Sequence, residues 1–154
     1  MKARSKQTIG LTDKIDFVEF GMENIDCKID TGANTSALHC HKVQLIETEE
    51  KPFVQFYLLD PAHPAYCQQA FRAYDFKERK VKSSFGNAQN RFSIKTKIQF
   101  MGRTFKTEFT LSDRGKMRFP ILLGKRFLKG RFLVDVTLHH VSFHSKISKE
   151  VLSK

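Results

Sequence analysis

Apolar and polar residues alternate along much of the chain, most regularly in Phe92-Ser93-Ile94-Lys95-Thr96-Lys97-Ile98-Gln99-Phe100, where every even position except Thr96 is apolar. After Met101-Gly102-Arg103-Thr104 the alternation resumes through Phe105, Thr107, Phe109 and Leu111. Successive strand side chains point to opposite faces, so this pattern predicts a half-buried hairpin. Shorter runs rich in Phe, Val and Ile predict strands over 15–20, 25–29, 53–59, 119–123, 131–138 and 141–147. Two helices are expected: a turn or so over 125–129, stopped by Gly130, and one over part of 65–74. Many short strands with few helices argue for a small β-barrel or sandwich. The sequence contains no repeat and no low-complexity linker, and Asp60-Pro61-Ala62-His63-Pro64 has the composition of a loop, so residues 1–154 are expected to form a single domain.

Composition narrows the class. A chain of 154 residues buries about two-thirds of its unfolded surface, and 15 Phe supply the bulk for a core. With 40% hydrophobic and 28% charged residues it falls in the globular range, which excludes disordered, collagenous and coiled-coil chains. No stretch approaches the roughly 18 apolar residues of a membrane span, and Met1-Lys2-Ala3-Arg4-Ser5-Lys6-Gln7 leads into no apolar segment, so a soluble, cytoplasmic protein is expected. Cys27, Cys40 and Cys67 are odd in number and lack paired spacing, which fits a reducing compartment better than a disulfide framework. Charge is uneven: residues 1–50 carry 6 Lys/Arg against 9 Asp/Glu, and residues 51–154 carry 21 against 7, for a net +11. Such a balance favours acidic partners such as nucleic acid, ribosomes or acidic polypeptides, and it specifies neither fold nor partner.

Chemistry concentrates in Ile29-Asp30-Thr31-Gly32-Ala33-Asn34-Thr35-Ser36, where a strand runs into a carboxylate followed by a hydroxyl and a glycine. Gly32 is expected to let the backbone turn and bring amide groups to Asp30, and Thr31 offers a hydroxyl that can lock the loop to a neighbour. In its plain structural role, Asp30 would only cap nearby amides in a turn. Farther along, Phe119-Pro120-Ile121-Leu122-Leu123-Gly124-Lys125-Arg126 is an apolar strand that ends in glycine before a short helix. Metal chemistry lacks a ligand set: there is no His-Glu-x-x-His and no glycine-rich phosphate loop. His39, Cys40 and His41, with Cys27, His63 and Cys67 at unrelated spacings, are expected to be ordinary side chains. His140 and His144, if on a strand, would be about 13 Å apart, too far for one metal. No metal and no cofactor are therefore expected.

Asp30-Thr31-Gly32-Ala33 and Ile121-Leu122-Leu123-Gly124 together resemble the catalytic loop and the hydrophobic-hydrophobic-glycine strand of retropepsin-like aspartic peptidases. Three longer segments narrow the likeness: residues 28–39, Val81-Lys82-Ser83-Ser84-Phe85-Gly86, and 117–125 with 128–135. They resemble a bacterial family labelled ATP-dependent zinc proteases, whose members lie beside or are fused to ATP-grasp glutamate ligases. The likeness covers about Ile9 to Asp135. It implies an all-β, closed acid-protease barrel with one or two short helices and one lobe per chain. It also implies Asp30 as half of a catalytic dyad, Thr31 as a cross-dimer anchor and Gly32 as a close-approach glycine. Ala33, Leu123 and Gly124 would support that loop, and Ser83, Ser84, Phe85 and Gly86 would form a flap over substrate.

Two carboxylates about 3 Å apart must share a proton for this chemistry, and the chain carries one Asp-Thr-Gly-Ala. The resemblance therefore implies an aspartic endopeptidase active as a homodimer, acting on an extended peptide or protein, acidic or glutamate-rich, with a functional link to an ATP-grasp ligase. The alternative is a noncatalytic module of the same fold that docks an acidic polypeptide, RNA or a ribosome through its basic surface. The basic run at 77–82 is expected to be a solvated edge, with a substrate-facing charge patch as its alternative reading.

Overall fold

The period-two segments become a ring of strands. A computed structural model describes residues 5–82, 86, 88–113 and 118–152, with only the backbone described at 80–82 and 88–90. The elements run β1 (Gln7–Ile9), β2 (Thr12–Phe17), β3 (Met22–Ile29), β4 (Ser36–Ile46), β5 (Phe53–Leu58), β6 (Ala70–Ala73), β7 (Phe76–Lys82), β8 (Ala88–Phe100), β9 (Arg103–Ser112), β10 (Ile121–Leu123), α1 (Lys125–Leu128), β11 (Phe132–Val134) and α2 (Val141–Leu152). Pairing proceeds β10, β3, β2, β8, β9, β4, and β4 pairs back to β10, so six strands close a barrel. Closure leaves no free edge within the ring. Outside it, β5 and β6 extend the sheet from β4, β7 pairs with β8, and β1 lies parallel to β11.

The expected hairpin is β8–β9, with Ile94 opposite Phe109 and Ile98 opposite Phe105. Its inward residues Ile94, Ile98, Phe100, Phe105, Phe109 and Leu111 are buried, while Lys95, Lys97 and Gln99 stay exposed. Met101 and Gly102 make the turn with φ of 54° and 71°, a left-handed geometry that glycine tolerates best. At one end of the barrel Phe100, Phe105, Phe127 and Phe132 stack within 6.0 Å of one another between paired ring centroids. Edge-on pairs such as four of these, and the stacked Phe127–Phe132 pair, add specific geometry to apolar burial. The helix after Gly124 forms, and Gly130 follows it at φ 77°.

Two expectations fail. Residues 65–74 form a loop followed by β6, whose Phe71 pairs with Phe56 across β5. Residues 141–147 are not a strand but the first half of α2. The cause is remote in sequence: the buried Asp13 on β2 accepts hydrogen bonds from the amides of Ser142 at 2.9 Å and Phe143 at 3.1 Å. A carboxylate there satisfies amides that a helix start leaves open. Ser142 in turn accepts the Met101 amide at 2.8 Å, and Lys146 pairs with Asp16 at 2.8 Å. His140 and His144 consequently sit one helical turn apart, with ring centroids 6.3 Å apart, instead of at strand spacing. The 131–138 strand is also shorter than expected, because Asp135 accepts the Thr137 amide at 2.9 Å and closes a turn.

Asp13→Ala should detach the start of α2 and cost about 2 kcal/mol, read as a lower chemical-denaturation midpoint with loss of helical signal. Burial holds the Asp13 carboxyl above its ordinary 3.8, opposed by the amides of Ser142, Lys14 and Phe143 and by His140. A raised folded-state value favours the protonated form. Relative to Asp13→Asn, wild type should therefore be most stable below the unfolded value and lose that advantage as pH rises through the raised one. Measuring both proteins across acidic pH checks the sign.

All three cysteines are free; burial pushes the Cys40 thiol up to about 12 and the Cys27 thiol well above its ordinary value. Only the half-buried Cys67 should alkylate in the native protein, a result that mass spectrometry of iodoacetamide-treated protein reads directly. No helix among the described residues is long and apolar enough to cross a membrane.

Candidate active site

Two strands deliver the loop. β3 and β10 run parallel with Ile29 beside Leu123, and the Asp30 amide donates to the Leu123 carbonyl at 2.8 Å. β10 also lies antiparallel to β4, so it is wedged between the strands that enter and leave the loop. Gly124 thereby arrives directly beneath residues 33–35. Its amide donates to the Ser36 hydroxyl oxygen at 3.1 Å, the Lys125 amide to the Ala33 carbonyl at 2.8 Å, and the Arg126 amide to the Asn34 carbonyl at 3.0 Å. A Cβ at Gly124 would meet the Thr35 carbonyl oxygen at 2.5 Å and that of Ala33 at 3.0 Å, so only glycine fits.

Above this brace, the Gly32 amide donates to Asp30 Oδ1 at 3.0 Å and the Ala33 amide to the Asp30 carbonyl at 3.3 Å. Asp30 is half-buried, while Thr31 and Gly32 are exposed. Among the described residues, no hydrogen bond that holds the loop uses the Thr31 hydroxyl. Gly32 turns the chain and brings its amide to Asp30 as expected, but its φ is not left-handed, and a Cβ there would meet, among the described residues, Asp30 Oδ1 at an ordinary 3.4 Å. Among the described residues nothing requires glycine at 32. The structure thus brings Asp30, Ala33, Leu123 and Gly124 together and turns Thr31 and Gly32 outward.

Of the residues expected to form a flap, Ser83, Ser84 and Phe85 lie outside the described residues; Gly86 is exposed with φ 84°. They follow β7, which pairs with β8 through the Lys82–Ala88 register. Among the described residues no group of three His, Cys, Asp or Glu is placed to hold a metal. His41 is instead engaged through Nδ1 with the Leu59 carbonyl at 3.0 Å and through Nε2 with the Tyr66 hydroxyl at 3.3 Å.

Two features of the site escaped the sequence. Ser36 supplies the hydroxyl that holds Gly124, and its place two residues beyond Asn34 in the loop motif was the available signal. Arg79 and Arg91 lie directly opposite on β7 and β8 and, with Thr35, Phe92, Ser93, Glu108 and Thr110, line a cavity of about 160 Å³. Directly opposed like charges destabilise a strand pair unless an anion lies between them. Strand register, which the sequence does not print, creates that pair.

The profile of the RimB-like family, described as retropepsin-like aspartic endopeptidase RimB, matches residues 9–144. The chain belongs to the RimB-like family. Its closed ring of strands, with two helices among the described residues, is the retropepsin-like barrel that membership implies. A probable alpha-L-glutamate ligase from Desulfotalea psychrophila is 30% identical over 97% of this chain and 32% of its own length. One from Shewanella pealeana is 30% identical over 85% of this chain and 29% of its own. This RimB-like chain therefore spans about a third of the curated relatives it matches. A crystal structure of a Legionella pneumophila protein of unknown function covers 90% of this chain and 99% of its own, with a TM-score of 0.71 at 22% identity, which shows a shared fold.

Proposed function

We propose that the chain is an aspartic endopeptidase whose site is completed by a second copy. The observation that carries this reading is the Asp30 loop itself. Its carboxylate is fixed by the Gly32 amide and braced from below by Gly124, while its upper rim, Thr31 and Gly32, is exposed. Two such loops meeting across a two-fold axis would place Asp30 beside its symmetry mate, each Thr31 hydroxyl anchoring the opposite loop and each Gly32 allowing close approach. The pair would share one proton. The ionised carboxylate would take a proton from water as it attacks the scissile carbonyl, and the protonated one would donate to the carbonyl oxygen. Ser83, Ser84, Phe85 and Gly86 would cover an extended peptide.

The substrate we propose is an acidic, glutamate-rich polypeptide. Arg79 and Arg91, opposed in the hairpin that leads to the flap and lining a cavity with Thr35 of the catalytic loop, favour a carboxylate between them. The names of the longer relatives support a functional link to a glutamate ligase, and a cytoplasmic location belongs to the same reading.

Cleavage assays over a protein dilution series test it. Specific activity on a glutamate-rich peptide should fall as the dimer dissociates, and the advantage over a neutral peptide should shrink with salt. Full activity from a demonstrably monomeric sample would sink the homodimeric site. The second reading is a noncatalytic module docking an acidic polypeptide, RNA or a ribosome, favoured by the net charge of +11. It predicts salt-sensitive binding without cleavage.

A further inference from the structure

The geometry points to a second ligand site, for a small multivalent anion of the phosphate class, in the cavity between α1 and the β8–β9 hairpin. That cavity measures about 300 Å³ and is distinct from the Arg79–Arg91 cavity, although both touch Thr35 and Glu108. Four cationic side chains line it: Lys95, Lys106, Arg126 and Arg131. They come from three separate elements: β8, β9 and the segment from α1 to its following loop. The one acidic lining residue, Glu108, already accepts the Ser93 hydroxyl at 2.8 Å.

Glu108 offsets only one of the four cations, and Lys95 lies directly opposite it across β8 and β9. Lys106 reaches Asp75 at 3.4 Å, but both side chains are more than half exposed, a pairing of small worth. Lys95 and Arg126 form no ion pair among the described residues. Lys106 also lies directly opposite Lys97 across β8 and β9, which adds repulsion. Arg131 is held in place by its Nη1 bond to the Phe127 carbonyl at 2.9 Å and by lying over Phe105 and Phe127, with its guanidinium 5.2 and 5.6 Å from the ring centres. A fixed guanidinium loses little freedom on binding and presents a fork matched to phosphate oxygens. Thr107 also lines the cavity, and its buried hydroxyl has no hydrogen-bond partner among the described residues.

The number and spread of the cations select the ligand. One peptide carboxylate carries a single charge and two oxygens, whereas a phosphate-class anion offers several oxygens to donors on different sides. The cavity volume suits a few heavy atoms. Occupancy would also tie Arg126 to Thr35 and Ser36, next to the amide bonds from Lys125 and Arg126 that hold residues 33–34. The site stands whether or not the chain cleaves peptides.

Calorimetric titration of the full chain with inorganic pyrophosphate tests the site, in low and moderate salt. One site per chain is expected. Arg126→Ala and Lys95→Ala, both at exposed side chains, should each weaken binding at least tenfold, with unchanged thermal unfolding as the control for folding. Arg79→Ala should leave pyrophosphate affinity unchanged. Equal affinity in wild type and both cavity variants, or no measurable binding in low salt, would overturn the proposal. Competitive displacement of pyrophosphate by a glutamate oligomer would also overturn it, because the cavity would then be part of the peptide groove.

Discussion

Asp30→Asn should abolish peptide hydrolysis, by at least about a thousandfold, while leaving the fold and its unfolding temperature nearly unchanged. The two halves of that expectation have separate causes. An amide oxygen still accepts the Gly32 amide, so the 3.0 Å bond that shapes the loop survives. The amide cannot carry the shared proton or take one from water, so the chemistry stops. Doping the variant into wild type should remove activity faster than the loss of wild-type chains alone, because each mixed dimer carries one carboxylate. Retained cleavage by a folded Asp30→Asn protein would place the chemistry elsewhere, and a preparation without cleavage in either form would favour the docking module.

Gly124→Ala should have the largest effect on stability. Its methyl group would lie 2.5 Å from the Thr35 carbonyl oxygen and 2.7 Å from that carbonyl carbon, both backbone atoms that cannot swing aside. The loop must lift, stretching the Lys125–Ala33 and Arg126–Asn34 hydrogen bonds of 2.8 and 3.0 Å. Overpacking of this kind costs about 3 kcal/mol, a fall of about 6–12 °C in unfolding temperature for a domain of this size. Gly32→Ala is the informative contrast. Among the described residues its methyl meets only Asp30 Oδ1, at 3.4 Å, so monomer stability should hold. Where two loops meet, the same methyl would obstruct their approach, and activity and dimerisation should fall together. A Gly32→Ala protein that remains fully active and dimeric would show that the loops do not meet at this residue.

The candidate site was legible because its parts are local. Asp30, Thr31, Gly32 and Ala33 form one continuous turn, and Gly124 follows directly on an apolar run. What joins them is not local: Leu123 accepts the Asp30 amide only because β10 enters the barrel parallel to β3. The opposed arginine pair was harder to see. Residues 77–82 have the composition of a solvated edge, and only the β7–β8 register sets Arg79 against Arg91.

By itself, the sequence determined which residues face the core and which loop is the candidate for chemistry. Period-two alternation is set by the geometry of each strand alone, so Ile94, Ile98, Phe105 and Phe109 could be placed inward before their partners were known. Tertiary structure decided the pairings that close the ring and the identity of short ambiguous elements. Residues 141–147 carry apolar positions compatible with either a strand or a helix, and the balance is tipped by Asp13, 129 residues from Ser142, whose carboxylate satisfies the amides that only a helix start presents. Local patterning fixes the faces of an element because side-chain direction follows from its own backbone. Type and partner depend on groups that folding brings together, and those contacts have no signature in the neighbouring sequence.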